Sequence, residues 1–203
     1  MEAVNSENKL YTYEDVLEMS EDIRVELLDG EIYYMSSPTY PHQAIQAALI
    51  REFGNYLKGK KCRVIAAPFD IRLSATLFGN KDNTVFQPDL VIICDLSKLD
   101  KKNGSYRGAP DMVVEILSPS TYRRDRLLKF NKYQKSGVRE YWIVDPHSMA
   151  VETYVLDEGA LKQHGVYESE DKVSVQILDD CTIDLNDIFA ELKEDLEVDD
   201  DEE

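Results

Sequence analysis

The sequence predicts an α/β fold, a mixed central β-sheet flanked by helices, and three observations lead there. Short apolar runs that read as buried strands, Leu90-Val91-Ile92-Ile93 and Met112-Val113-Val114 among them, alternate with segments whose apolar residues recur at helical spacing. Strand pairs joined by a tight turn occur beside strands separated by a helix, so the sheet must combine hairpins with helical crossovers. No internal repeat or low-complexity linker divides the 203 residues, which suits a single core.

Each element has a local reason. Thr12 is placed to cap a first helix over 13–19 and Thr39 a second over 41–58, where Pro41 sits in the first turn as helix starts favour. Ile45, Leu49, Phe53 and Tyr56 repeat at three and four residues and give the second helix one apolar face for a sheet. Between the helices, Val25 to Leu28 and Ile32 to Met35 flank Asp29-Gly30, the dipeptide that best supports the left-handed backbone of a hairpin turn. Further strands are expected over 63–73, 89–94, 111–117 and 140–144, then a pair over 150–156 and 161–167. A helix over 121–136 lies between two of the central strands, and 80–84 and 100–108 read as polar loops. The domain is expected to span 1–190, with 191–203 an acidic, disordered tail.

Composition bounds the partners. A net charge of −17 speaks at first against a polyanion, because nucleic-acid binding draws affinity from Lys and Arg set against phosphate. Its distribution matters more: 191–203 carry nine acids against Lys193, whereas 98–135 hold ten bases against four acids. Arg123, Arg124, Arg126 and Lys132 in that basic stretch are candidate nucleic-acid contacts; the same pattern fits a solvated helix face equally well. Cys62, Cys94 and Cys181 are odd in number, widely spaced and without a CxxC pair, so neither a disulfide framework nor a zinc site is expected. A reduced cytoplasm is the simplest location. No signal-peptide pattern and no apolar run near 18 residues occurs, which implies a soluble protein with no membrane partner.

The chemistry is concentrated in two carboxylates. Gln87-Pro88-Asp89 opens one apolar strand, and Glu115 lies inside another between Val114 and Ile116. An unpaired carboxylate there costs several kcal/mol or shifts its pKa until it is neutral, so Glu115 calls for a metal, a cation or hydrogen-bond donors. Their separation of 26 positions leaves room for one strand, a loop and the next strand, so neighbouring strands can present both acids to one divalent ion. Asp111, Val113, Glu115 and Leu117 share one strand face. Read alone, Pro88-Asp89 is turn chemistry and Glu115 a buried acid paired with an Arg.

Lys129 follows Glu115 by fourteen residues, at the edge of a helical apolar stripe centred on Phe130. Its bland reading is an ordinary i, i+4 pair with Asp125, worth roughly 0.2 to 0.5 kcal/mol. His42 projects with Ile45 and Leu49 and reads as a satisfied core or capping histidine rather than a ligand. Ser118-Pro119-Ser120-Thr121 is a strand-to-helix turn without a Gly-x-Ser-x-Gly elbow, and no glycine-rich phosphate loop is present.

Taken in order, Pro88-Asp89, Glu115, Ser118-Pro119-Ser120-Thr121, the Asp125, Lys129 and Tyr133 series, and Gly137 to Pro146 resemble the bacterial Uma-two family. That family consists of restriction-endonuclease-like proteins within the PD-(D/E)XK nuclease superfamily. The resemblance runs from Glu26-Leu27-Leu28-Asp29-Gly30-Glu31 through His42 and Asp70 to Asp184-Leu185. It implies a restriction-endonuclease-like core, Asp89 as the motif aspartate, Glu115 as the second acidic ligand and Glu26 as the acid near the N-terminus. Superfamily members usually carry Lys two residues after the second acid, where this chain has Leu117. Lys129 resembles a migrated lysine that reaches the same space from the following helix.

The function implied is metal-dependent phosphodiester hydrolysis of nucleic acid, DNA more than RNA. Asp89, Glu115 and Glu26 would hold Mg²⁺ or Mn²⁺, and Lys129 would orient water or offset charge. The alternative is a catalytically silent, nuclease-derived module that binds nucleic acid or protein. A homodimer cutting opposite strands is hinted at by aromatic residues expected to be exposed around Tyr141 and Trp142.

Overall fold

The computed structural model describes residues 9–19, 23–73 and 82–200, the last six of these without side chains. Residues 80 and 81 of the expected loop and 201–203 of the expected tail lie outside the described residues. No helix among the described residues is long and apolar enough to cross a membrane.

The chain opens with helix α1 (Tyr13–Leu17), capped by Thr12: its side chain accepts from the Asp15 N–H while Asp15 accepts from the Thr12 N–H at 2.7 Å. Strands β1 (Val25–Leu28) and β2 (Glu31–Tyr34) form the expected hairpin, with Asp29 and Gly30 both at positive φ, 54° and 88°. Helix α2 (Tyr40–Leu57) follows, Pro41 in its first turn, and its Thr39 cap makes no side-chain hydrogen bond.

The single strand expected over 63–73 is two, β3 (Arg63–Ala66) and β4 (Ile71–Arg72), which belong to different sheets. Pro68 between them cannot donate to a ladder, so the chain leaves one sheet and joins the next. Next come β5 (Val85–Phe86), β6 (Leu90–Ile93), β7 (Leu99–Asp100), β8 (Ser105–Arg107) and β9 (Met112–Ile116). Beyond β9 a π-helical segment (Arg124–Lys129) runs directly into α3 (Phe130–Ser136), which ends on Gly137 at φ 86°. The remainder is β10 (Glu140–Asp145), β11 (Ala150–Asp157), β12 (Ala160–Tyr167), β13 (Lys172–Ser174), β14 (Thr182–Asp184) and α4 (Leu185–Asp200).

The mixed α/β architecture is thus built on two large mixed sheets. One has the order β2-β1-β5-β4-β8-β7, the other β12-β11-β10-β9-β6-β3, in which only the β9–β10 pair is parallel and needs the helical crossover. Strand alternation splits the second sheet between two cores. Leu90, Ile92, Met112, Val114, Ile116 and Trp142 pack against α2 and α4. Val91, Val113, Tyr141 and Ile143 face the other way, towards Phe86 and Tyr106 of the first sheet and Tyr133 of α3. Glu115 shares that second face, between the sheets.

Three expectations change. Tyr141 and Trp142 are fully buried, because β10 is covered on both faces, so they supply no dimer surface. The boundary expected at 190 cuts through α4, whose Leu192 is buried in the core beside Ile188 and Phe189. Cys62 and Cys94 form a disulfide: the antiparallel register that pairs Arg63 with Ile93 brings the two residues just outside that rung together, a proximity that linear spacing does not reveal.

Candidate active site

The site forms where the two sheets and the π-helical segment converge. Asp89 enters β6, Glu115 sits in the adjacent β9, and Lys129 closes the π segment that follows β9. All three line one cleft of about 430 Å³, with Arg24, Gln87, His42 and Arg124 also in its walls.

Lys129 is the hub. Its Nζ lies 2.8 Å from Glu115 Oε1, 2.8 Å from Glu26 Oε1 and 3.5 Å from Asp125 Oδ1, with the side chain 2% exposed. Burial opposes its charge, yet Glu115, Glu26 and Asp125 outweigh burial and hold the ammonium well above the usual lysine range. Lys129 is therefore held as a cation that donates to the carboxylates around it. Glu115 Oε1 also accepts from the Tyr133 hydroxyl at 2.6 Å. Burial pushes the Glu115 pKa well up; Lys129 pulls it down, and Asp125, Asp89 and Glu26 push it up again. Glu115, Glu26, Asp125 and Asp89 thus gather around Lys129, with Arg124 beside Glu26 and with Arg24 and His42 lining the same cleft.

The π winding explains why Lys129 points inward. The Phe130 N–H reaches back to the Asp125 carbonyl, five residues earlier, so the segment turns more loosely than an α-helix. It buries Arg124, Asp125 and Lys129 and exposes Leu127 and Leu128, the reverse of what an amphipathic α-helix would do.

Asp89 is gripped from several directions. Its Oδ2 accepts from the Ile116 N–H at 2.7 Å and lies 3.1 Å from His42 Nε2, while its carbonyl accepts from Gln46 Nε2 at 2.7 Å. His42 and Gln46 are one turn apart on α2, so a single helix face holds both the side chain and the backbone of the aspartate. Sequence reasoning placed His42 on the sheet-facing side as a satisfied histidine but did not identify its partner; the available signal was the i, i+4 spacing of His42 and Gln46 on that stripe.

Glu26 reaches the network from β1 but does not line the cleft. Its Oε1 accepts from the Gln87 N–H at 2.9 Å and from Lys129, and its Oε2 faces Arg124 Nη2 at 3.3 Å. The four expected nucleic-acid contacts do not make one open basic face. Arg124 is buried in the cleft wall, Arg126 is paired with Glu152 at 2.5 Å, Lys132 reaches Asp29 at 2.5 Å, and Arg123 is exposed.

A divalent ion fits part of the expected ligand set. Asp89 and Glu115 offer hard oxygens to the same cleft. Glu26, the third expected ligand, stands behind Lys129 and outside the cleft lining, with Oε1 engaged by Gln87 and Lys129 and Oε2 3.3 Å from Arg124 Nη2. No group of three or more His, Cys, Asp or Glu residues placed to hold a metal occurs among the described residues. Two carboxylates completed by water and phosphate are what Mg²⁺ commonly accepts.

The chain is similar to known proteins at two levels. It is 31% identical over 130 residues to "Uncharacterized protein slr1290" of Synechocystis, an alignment spanning 64% of this chain and 64% of that protein's length. Its fold matches the crystal structure of "a putative nuclease belonging to DUF820" from Anabaena variabilis with a TM-score of 0.70 and 21% identity, covering 88% of this chain and 97% of that one. Residues 10–186 match the family model Uma2, described as "Putative restriction endonuclease". From Leu10 through the Asp89, Glu115 and Lys129 cluster to Asn186, the chain belongs to the Uma2 restriction-endonuclease family.

Proposed function

We propose that this protein is a metal-dependent nuclease that hydrolyses phosphodiester bonds, with DNA as substrate. The observation that carries the reading is the meeting of Asp89, Glu115 and a fully buried Lys129 in one cleft, from two neighbouring strands and the segment after them.

Asp89 and Glu115 are the residues suited to hold Mg²⁺ or Mn²⁺. Such an ion, when bound, polarises phosphate and lowers the pKa of bound water. The chain's own groups do the rest. Lys129, held as a cation, orients the attacking water and offsets charge building on the phosphate oxygens. Arg124 keeps Nε and Nη1 without hydrogen-bond partners in the cleft wall, donors suited to non-bridging oxygens. Tyr133 fixes the Glu115 carboxylate, and His42 with Gln46 fixes Asp89. Glu26 acts as a positioning residue for Lys129.

The test is incubation with supercoiled plasmid, linear duplex and single-stranded DNA and RNA in Mg²⁺ or Mn²⁺, alongside Glu115→Ala and Lys129→Met. Cleavage by the wild type and its loss in both variants, with melting curves showing them folded, is the expected result. Cleavage that persists in a folded Glu115→Ala protein overturns the assignment.

A further inference from the structure

Beside the candidate active site lies a second cavity of about 580 Å³, whose walls include Leu117, Tyr122, Pro146, His147, Met149 and Leu192. The two cavities share Thr39, Ser118 and Pro119, so they are neighbouring rooms with a common wall. We propose that this second cavity seats the base of an unpaired nucleotide next to the scissile phosphate; the proposal rests on the nuclease reading above.

The lining has the chemistry of a base pocket. Tyr122 is 50% exposed, yet its ring is held: the Arg126 guanidinium stacks over it at 4.9 Å, and that guanidinium is itself fixed by hydrogen bonds of 3.0 and 2.5 Å to Glu152. A pre-positioned aromatic ring at the edge of an apolar cavity offers a stacking platform at little entropic cost. Asp145 and His147 join Thr39 and Ser118 as the polar residues of a largely apolar wall, with Asp145 Oδ1 accepting from the His147 N–H at 2.9 Å.

The shared wall suits the phosphate that links such a base to the cut. Helix α2, eighteen residues long, begins there, with no side-chain cap from Thr39 and no acid in its own first turn. In the wall of the neighbouring cleft, Arg124 is 8% exposed and leaves Nε and Nη1 without hydrogen-bond partners. A phosphate at the cleft thus meets the start of α2 and Arg124, and a base turned away from it has the neighbouring room to enter.

A base stacked within a duplex cannot enter that room without leaving its stack. The consequence is a substrate class: single strands, or duplexes that open at the cut. Preference for single-stranded or frayed DNA over intact duplex follows from the shape of the protein.

The experiment uses the full chain in EDTA, so that binding is read without cleavage, and a DNA single strand of about a dozen nucleotides. A fluorescent 2-aminopurine is moved along the strand, and an abasic site is then placed at the position that responds. The expected result is a fluorescence change at one position and about a tenfold loss of affinity when that base is removed. Tyr122→Ala should cause the same loss, Tyr122→Phe should restore binding, and Tyr122→Ala should lose nothing further on the abasic strand. If the strand binds and is cut in Mg²⁺ but neither the abasic site nor Tyr122→Ala matters, the base pocket is overturned while the nuclease reading stands. If no single strand binds while duplex DNA is cut in Mg²⁺, the pocket falls and the nuclease reading stands; if neither single strands nor duplex are cut, both fall.

Discussion

Tyr133 Oη and Glu115 Oε1 meet at 2.6 Å with both side chains buried, on the same carboxylate oxygen that Lys129 reaches at 2.8 Å. Glu115 therefore sits in a prepared cradle and still carries a pKa raised by burial, with Asp125, Asp89 and Glu26 adding to it. A buried carboxylate with a raised pKa is a feature that functional sites share, and it costs the fold stability wherever the group is ionised.

The pH dependence follows with a definite sign. A glutamate whose folded pKa is raised binds more protons in the native than in the unfolded state, between the ordinary value of 4.5 and the folded value. Stability from this group is present below 4.5 and is lost as pH rises through the folded value. Glu115→Gln keeps an oxygen for Lys129 and Tyr133 and removes that dependence. In EDTA the variant should melt about 2 to 4 °C above the wild type at pH 8, the shift that roughly 1 kcal/mol produces at this chain length, with the gap closing towards pH 4.5. A gap that is constant with pH would show that Glu115 does not titrate in this way.

Asp89 is held by His42 from its side chain and by Gln46 from its carbonyl. His42→Ala should leave the fold in place but loosen the carboxylate, lowering Mn²⁺ affinity and cleavage by roughly 10- to 100-fold, as loss of a ligand's supporting partner generally does. Gln46→Ala should weaken both less, since the Ala67 N–H also donates to the same carbonyl at 3.1 Å. Calorimetric Mn²⁺ titration with turnover measured in parallel checks this; unchanged affinity in His42→Ala would remove the histidine from the site.

The sequence made some of this legible and hid the rest for physical reasons. Asp89 and Glu115 stood out because charge inside an apolar run needs an explanation, and the Asp29-Gly30 hairpin because few dipeptides tolerate two left-handed residues. Lys129 was ambiguous: 100° helical periodicity puts it at the edge of the stripe, and only the looser π turn carries it inside while turning out Leu127 and Leu128. The ion-pair partners of the basic stretch were hidden by sequence distance: Arg124, Arg126 and Lys132 meet Glu26, Glu152 and Asp29 from other elements. Strands of two or three residues such as β5 and β7 are too short to show a period.

The Cys62–Cys94 bridge ties β3 at the sheet edge to the end of β6, close in sequence to Asp89. It closes a loop between residues 32 apart, for which cross-linking typically contributes about 2 to 4 kcal/mol, mainly by restricting the unfolded chain. Cys62→Ser with Cys94→Ser should therefore melt lower than the oxidised wild type and match the wild type in strong reductant. A reductant-insensitive melting temperature in the wild type would show that the two thiols do not pair in solution.

The C-terminal helix decides where the domain ends. Leu185, Ile188, Phe189 and Leu192 lie on one side of α4 and pack with Leu49 and Phe53 of α2 in the core behind β9, the strand that carries Glu115. Truncation after residue 190 removes Leu192 and the turns that hold Phe189 in place; Leu192→Ala isolates the first effect and should cost about 2 to 4 kcal/mol, as deletion of a buried leucine does. Because α2 also presents His42 and Gln46 to Asp89, a looser α2–α4 contact should lower Mn²⁺ affinity before it unfolds the chain. Denaturant melts and Mn²⁺ titrations of the truncated and Leu192→Ala proteins test this together. A truncated chain with wild-type stability and metal affinity would return 191–203 to the status of an acidic tail.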